Sequence, residues 1–324
     1  MHTSGFPLSE AELLGKIIEK TDCRTGKVEG KVRDIYRSDN RIALVCTDRL
    51  SAFDRSITTI PLKGRILNLL SAWWFRETEP IIENHLISVP HPNVTIAEAC
   101  KPIPLEFVVR GYLTGSTSTS LWTHYSEGAR NYCGNIIPDG LRKNDELPQP
   151  ILTPTTKAQS HDQPISGEEA VNSGIVSEEV WSLASKKALE LFEFGQRKVR
   201  ESGFILVDTK YEMGLIEDGS LVLIDEIHTP DSSRFWRLDT LEERLSLGEE
   251  PDSVDKEFIR LWFANRCDPY HDERLPEAPP ELRLELTNRY HSIYMALVGE
   301  SVPLPSDTET ELGTINQVVN RSLC

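Results

Sequence analysis

The order of hydrophobic and polar residues divides the chain into helical and extended stretches. Apolar residues recur at helical spacing and predict helices over residues 9–20, 65–78, 177–202, 255–266 and 280–297. Alternating or β-branched apolar runs predict strands over residues 27–36, 41–47, 105–113, 204–215 and 221–227. Residues 128–175 show little periodicity, which predicts a long loop, and residues 300–324 are polar, which predicts a C-terminal segment lying over the surface.

Prolines divide the predicted elements into two groups. Pro102 and Pro104 precede the strand predicted at 105–113, and the strands before them are close enough along the chain to pair antiparallel. We therefore expect an α+β protein with two lobes. The first is an antiparallel sheet lobe over residues 1–107, and the second is a larger α+β lobe over residues 108–324.

Charge and cysteine content exclude several functional classes. The chain has 324 residues, with 35 Lys and Arg against 51 Asp and Glu, so its net charge of −16 argues against nucleic-acid or anionic-membrane partners. No apolar run approaches the roughly 18 residues of a membrane span, and the N-terminus does not resemble a secretory signal. Six scattered cysteines without CxxC spacing predict reduced thiols in a cytoplasmic protein.

The dipeptide Asp218-Gly219 lies between two apolar runs and predicts a hairpin with a two-residue loop. In that register Glu212 faces Asp225 directly. Opposed carboxylates repel each other unless they share a proton or a cation, and Mg²⁺ completed by substrate phosphates is the usual arrangement at nucleotide sites. Asp208 and Lys210 share the face of Glu212 because side chains alternate along a strand. A solvated polar face would show the same alternation, and one bulge would shift the register.

Several other segments combine cations with glycine, hydroxyl or acidic residues. They are Gly30-Lys31-Val32-Arg33, Arg110 to Ser116, Thr229 to Arg234, and a loop with Lys157, His161 and Asp162. Backbone N–H groups beside glycine and arginine side chains are suited to binding phosphates or carboxylates. Each segment is also compatible with an ordinary charged turn or, for His161 and Asp162, a structural hydrogen-bonded pair.

Six ordered motifs resemble one enzyme family. They are GKVRDIY (30–36), TDRLSAFD (47–54), VVRGYLTGS (108–116), PTTKAQSHD (154–162), DTKYEMG (208–214) and DEIHTPDSSRFW (225–236). Together they resemble the SAICAR synthetases (phosphoribosylaminoimidazole-succinocarboxamide synthases) of purine biosynthesis, in their longer single-function form. The resemblance implies a SAICAR-synthetase-like α+β fold whose first lobe is a kinase-like antiparallel sheet that covers ATP.

The resemblance also implies an activity. These enzymes are ATP-dependent carboxylate–amine ligases that join L-aspartate to the carboxylate of carboxyaminoimidazole ribonucleotide (CAIR). The products are SAICAR, ADP and phosphate, and an acyl phosphate is the expected intermediate. The implied cofactors are ATP and Mg²⁺, and the implied partners are these small molecules, with a monomer or homodimer expected.

Residue roles follow from the same resemblance. The residues expected at ATP are Gly30, Lys31, Val32, Arg33, Glu106, Val108, Lys157, Glu212 and Asp225, of which Glu212 and Asp225 hold the metal. The residues expected at the other substrates are Ser51, Asp54, Arg110, Ser116, His161, Asp162, Asp208, Lys210, Ser233 and Arg234. Among these, Lys210, Asp208 and Arg234 are the expected catalytic residues.

Two rival functions use the same nucleotide-binding features. A small-molecule kinase would transfer the phosphoryl group to a hydroxyl, and a non-catalytic regulator would bind ATP without turnover. Dependence of turnover on L-aspartate separates the ligase from both.

Overall fold

The computed structural model describes residues 6–117, 120–157 and 163–324, and these residues form helices and mainly antiparallel sheets. The helices are α1 (Glu10–Leu14), α2 (Lys63–Thr78), α3 (Leu121–Ser126), α4 (Gly167–Asn172), α5 (Glu178–Glu201), α6 (Leu238–Ser246), α7 (Glu257–Ala264), α8 (Pro280–Val298) and α9 (Thr308–Ser322). The strands up to residue 112 are β1 (Val28–Glu29), β2 (Arg33–Arg37), β3 (Arg41–Cys46), β4 (Arg49–Ala52), β5 (Arg55–Thr59), β6 (Leu86–His91), β7 (Val94–Glu98), β8 (Lys101–Pro102) and β9 (Leu105–Tyr112). The later strands are β10 (Asn131–Tyr132), β11 (Asn135–Ile136), β12 (Glu146–Leu152), β13 (Thr155–Thr156), β14 (Gln163–Pro164), β15 (Phe204–Leu215), β16 (Leu221–Ile224) and β17 (Ser233–Arg237).

The first sheet is antiparallel and uses only residues between 28 and 98. Its five strands follow the order β1-β2-β3-β7-β6. Helix α9 packs Ile315 and Val319 against Tyr36 and Val45 on one face. Helix α2 lies over the other face, where Cys46 Sγ donates to Asn68 Oδ1 at 3.5 Å. The antiparallel N-terminal sheet expected from the sequence is therefore confirmed.

The second sheet is built around the twelve-residue strand β15. It has eight strands, and β15 pairs antiparallel with β8, β9, β16 and β17. Buried and partly exposed residues alternate along β15, so Thr209, Tyr211 and Met213 enter the interior. The chain is thus α+β, as expected, although the predicted lobe boundary at 107/108 falls inside β9 and stays a prediction.

Four predicted elements differ from the structure. The predicted strand at 27–36 is divided into β1 and β2 by the turn between Glu29 and Arg33. Helix α1 ends at Leu14 and does not continue to residue 20, because Gly15 caps it and the Ile18 backbone N–H is bound by Asp48 Oδ2 at 2.8 Å. The predicted loop at 128–175 contains α4 and the short strands β10 to β14. The predicted surface segment at 300–324 forms α9, whose residues Ile315 and Val319 are fully buried.

A buried ion cluster connects four parts of the fold. Asp231 Oδ2 lies 3.2 Å from Lys63 Nζ at the start of α2 and 3.5 Å from Lys256 Nζ before α7. Tyr290 of α8 donates to Asp231 Oδ1 at 3.0 Å, and Lys256 donates to the Ser51 carbonyl of β4 at 3.3 Å. Burial disfavours the ionised form of Asp231, but Lys256 and Lys63 outweigh burial and hold its pKa well below the ordinary value.

None of the helices in the described parts of the chain is both long enough and apolar enough to cross a bilayer.

Gly64 allows α2 to approach the first sheet, and replacing it tests this contact. A Cβ atom at Gly64 would lie 2.3 Å from the Cys46 carbonyl oxygen, which is rigid backbone. We expect Gly64→Ala to lower the free energy of unfolding by about 1–3 kcal/mol. The matched variant Gly313→Ala lies within helix α9 with no atom within 4 Å, and should gain about 0.5–1 kcal/mol. Urea titrations of both variants provide the measurement, and equal stability of the two would contradict this packing argument.

The buried ion cluster predicts a pH-dependent stability. Asp231→Asn leaves Lys63 and Lys256 without their carboxylate, so it should cost about 3–5 kcal/mol at pH 7. Because the pKa of Asp231 is lowered on folding, its contribution is present above the unfolded value of about 3.9 and is lost as the pH falls further. The stability difference between wild type and variant should therefore shrink below about pH 4. Urea titrations from pH 7 to pH 3 would count against the prediction if the difference stayed constant.

Candidate active site

The hairpin between β15 and β16 has a different register from the predicted one. Ile216 N–H donates to the Ser220 carbonyl at 3.1 Å, and Gly219 N–H donates to the Ile216 carbonyl at 3.0 Å. Gly219 has φ +87°, which makes a three-residue loop with a bulge instead of the two-residue loop. Glu212 therefore faces Ile224, and the direct pairing of Glu212 with Asp225 is wrong.

The two carboxylates are nevertheless electrostatic neighbours. Asp225 directly follows β16 with φ +69°. Burial, followed by repulsion from Asp225, raises the pKa of Glu212 to about 7, although Lys157 and Lys210 oppose the rise. Burial also disfavours the ionised form of Asp225, but Arg33 and the two lysines outweigh it and lower the pKa of Asp225. This pair of carboxylates is therefore one that an added cation would stabilise.

Arg33 connects the turn at residues 30–33, which we call the glycine turn, to Asp225. Its guanidinium forms an ion pair with Asp225 and contacts Glu226 Oε1 at 2.9 Å. Arg49 Nη2 donates to the Gly30 carbonyl at 2.9 Å, and Arg49 Nε donates to the Lys31 carbonyl at 3.3 Å. The turn that was expected to cover phosphates is thereby held beside Asp225 through Arg33.

Two further lysines lie on the same side. Lys157 forms an ion pair with Glu212, and Lys210 Nζ lies 2.5 Å from Glu106 Oε1 on β9. Burial alone would lower the pKa of Lys210, but Glu106 and Glu212 raise it above the ordinary value, so Lys210 stays protonated. Val108 faces Lys210 across the ladder, and its carbonyl accepts from Thr153 N–H at 2.7 Å.

A second group of charges lies at the other end of the β15 face. The register places Asp208 opposite both Arg110 of β9 and Arg234 of β17. Asp208 Oδ2 lies 2.5 Å from Arg234 Nη1 and 3.8 Å from Arg110 Nη1. Ser116 donates to Glu257 Oε1 at 2.6 Å, and Glu257 Oε2 lies 3.9 Å from Arg234 Nη2. We call Arg110, Ser116 and Arg234 the anion grip.

The remaining predicted site residues lie around these two groups. Asp54 Oδ1 is 3.2 Å from Lys31 Nζ, and both side chains are more than half exposed. Ser51 contributes its carbonyl to Lys256, as described above. The hydroxyl of Ser233 is buried and lies 2.7 Å from that of Thr209, on the face of β15 opposite Asp208. His161 and Asp162 lie outside the described residues.

Three charged residues of the site were missed by the sequence reasoning. Glu226 follows Asp225 in a quoted motif, so its contact with Arg33 could have been suspected. Arg49 also lies within a quoted motif. Glu257 gave no comparable signal, because it is separated from Ser116 by 141 positions and meets it only through tertiary packing.

The donor set fits a divalent cation that needs further ligands. Within residues 6–117, 120–157 and 163–324, no group of three or more His, Cys, Asp or Glu side chains is arranged to hold a metal ion. Two neighbouring carboxylates that repel each other despite their ion pairs with Lys157 and Arg33 match a Mg²⁺ ion completed by phosphate oxygens. One face of β15 can therefore bring a nucleotide–metal complex toward an anion held by the grip.

Comparisons with known proteins show which family the chain resembles. The SAICAR synthetase family model matches residues 27–276. A phosphoribosylaminoimidazole-succinocarboxamide synthase of Legionella pneumophila is 55% identical over 275 residues, covering 85% of this chain and 88% of the relative. A SAICAR synthase structure from Saccharomyces cerevisiae complexed with SAICAR has a TM-score of 0.75 at 32% identity, covering 88% of this chain and 99% of that chain. A SAICAR synthetase structure in complex with ADP has a TM-score of 0.65 at 27% identity, covering 86% and 100%. The chain therefore belongs to the SAICAR synthetase family.

Proposed function

We propose that this protein joins L-aspartate to the carboxylate of CAIR at the expense of ATP, giving SAICAR, ADP and phosphate. The observation that carries the proposal is the single face of β15 with Asp208, Lys210 and Glu212. One end of that face meets the anion grip, and the other meets the glycine turn and Asp225. One related structure is complexed with SAICAR and another is in complex with ADP, which supports the binding of both kinds of ligand.

The nucleotide belongs at the Glu212 end of the face. Backbone N–H groups of the turn at 30–33 are suited to the phosphates, with charge added by Lys31 and Arg33. Glu212 and Asp225 would hold Mg²⁺, which supplies charge neutralisation on the phosphate oxygens. Lys157 lies beside Glu212, within reach of the same phosphates. We assign the adenine to the segment around Glu106 and Val108 in β9, which is the strand that the chain enters after it leaves the first sheet.

The ribonucleotide belongs at the Asp208 end. Arg110, Ser116 and Arg234 offer the forked and hydroxyl donors that bind a phosphate monoester, and Ser233 holds the strand beside Arg234 through its hydroxyl contact with Thr209. Asp208 and Lys210 would then contact the imidazole and its carboxylate. We assign Ser51 and Asp54, together with His161 and Asp162, to binding of the substrates.

The chemistry requires an activated carboxylate, because a carboxylate is a poor electrophile for an amine. In the proposed route a CAIR carboxylate oxygen attacks the γ-phosphorus, the bond to ADP breaks, and an acyl phosphate forms. The aspartate nitrogen then attacks the acyl carbon, phosphate leaves, and the nitrogen loses a proton. Lys210 is protonated and partly buried, so it can stabilise negative charge on the reacting carboxylate. Alignment of the two substrates on one rigid strand supplies much of the rate.

The compartment, assembly and lobe division are parts of the same proposal. All six cysteines are free thiols, which fits the reducing cytoplasm. A monomer or homodimer of two lobes, residues 1–107 and 108–324, would place the ATP between the first sheet and β15.

The aspartate requirement tests the function directly. ADP release with CAIR and ATP should depend on L-aspartate and should equal SAICAR formation mole for mole. ADP release with a hydroxyl acceptor in place of aspartate would favour a kinase, and nucleotide binding without any ADP release would favour a regulator.

Replacement of Asp225 tests the proposed metal site. Asp225→Asn should lower kcat by at least about a hundredfold, because one carboxylate at the Mg²⁺–ATP site becomes neutral. Raising the Mg²⁺ concentration should recover little of the loss. The control Asp218→Asn changes a solvent-exposed carboxylate at the tip of the same hairpin and should leave turnover unchanged. Steady-state rates across a Mg²⁺ series provide the measurement, and near-normal turnover of Asp225→Asn would reject the metal role.

A further inference from the structure

The donors of the anion grip are already engaged by side chains of the protein. Ser116 donates to Glu257 at 2.6 Å, and Arg234 contacts Asp208 at 2.5 Å and Glu257 at 3.9 Å. Arg110 Nε donates to the Thr153 hydroxyl at 2.9 Å. A phosphate that binds the anion grip must therefore replace the protein side chains that now accept hydrogen bonds from these donors.

Glu257 is the carboxylate that best mimics a bound phosphate. One of its oxygens accepts from a hydroxyl, and the other lies near two guanidinium groups, those of Arg234 and Arg260. Hydroxyl and guanidinium donors around one anion are the arrangement that recognises phosphate monoesters. Burial would favour neutral Glu257, but Arg234, Ser116 and Arg260 lower its pKa, so it carries its charge at neutral pH.

Arg260 is the cation of this cluster that no earlier step assigned. It lies one helical turn after Glu257 on α7, with Nη1 3.5 Å from Glu257 Oε2. Its side chain is 29% exposed, against 12% for Glu257, so it lies at the open side of the cluster. The Arg260 guanidinium at this position can contact an anion that replaces Glu257.

We propose that Glu257 is an internal occupant of the phosphate site, and that the ribonucleotide phosphate replaces it on Ser116 and Arg234 while Arg260 becomes an additional phosphate ligand. This inference rests on the proposed function, since it concerns the phosphate of that substrate. Glu257 acts through the grip and is a positioning residue that sets ribonucleotide affinity. It holds the donors in place without ligand, and its negative charge opposes the entering phosphate.

Glu257→Gln separates these two effects. The amide oxygen can still accept from Ser116, so the donors keep an acceptor, but the charge that repels phosphate is gone. We expect KM for CAIR to fall about tenfold, which is the scale expected when one charge–charge repulsion at a partly buried site is removed. KM for ATP should not change, and kcat should stay equal or fall if product release becomes slower. A structural role alone would lower stability and would not shift one KM selectively.

The matched control is Glu190→Gln on α5, where a glutamate that is ion-paired with Lys187 at 3.0 Å loses its charge away from the cleft. Both KM values should remain at their wild-type values in this variant. An unchanged or higher KM for CAIR in Glu257→Gln would overturn the proposal.

Arg260→Gln provides an independent test if Glu257→Gln does not fold. It should raise KM for CAIR about tenfold and leave KM for ATP unchanged, and equal KM values to wild type would overturn the assignment of Arg260.

Binding of inorganic phosphate tests the exchange without turnover. At matched ionic strength, phosphate should raise the thermal unfolding midpoint of Glu257→Gln more than that of wild type. An equal or smaller rise would overturn the proposal. A wild-type protein that fails to turn over CAIR would refute the proposed function and leave this phosphate measurement interpretable.

Discussion

The antiparallel pairing of β15 with its neighbours is the constraint on which the site depends. Because side chains alternate on a strand, Thr209, Tyr211 and Met213 enter the core and thereby fix Asp208, Lys210 and Glu212 on the opposite face. The partners β9 and β17 then place Arg110 and Arg234 level with Asp208. A shift of one residue in this ladder would exchange the two faces and remove the site altogether.

A second property of the described part of the site is that four of its cations are ion-paired with carboxylates. Arg33 with Asp225, Lys157 with Glu212, Lys210 with Glu106 and Arg234 with Asp208 are all ion pairs between different elements. Buried charges are costly without such partners. An acidic chain can therefore hold several cations in one cleft and still present them to anionic substrates, provided that each substrate replaces or joins a carboxylate.

Local patterns predicted the parts of the site that depend on local geometry. The alternation along β15 follows from strand geometry, and the sequence predicts it correctly. The predicted pairing of Glu212 with Asp225 is wrong, because one extra loop residue at Gly219 places Glu212 opposite Ile224. Helix α9 was missed although Leu312, Ile315 and Val319 have helical spacing, since the polar residues between them masked it. The contact of Glu257 with Ser116 depends on packing between distant segments, which one sequence does not record.

The position of α9 has a consequence for the order in which the molecule can be assembled. The five strands of the first sheet are all synthesised by residue 98, but the apolar face with Tyr36 and Val45 is covered by residues 315 and 319. A ribosome adds on the order of 5–20 residues per second, so this face waits for at least ten seconds before its cover is made. During that interval a nascent sheet with an uncovered apolar surface is open to aggregation, and chaperones that shield such surfaces would be most needed there.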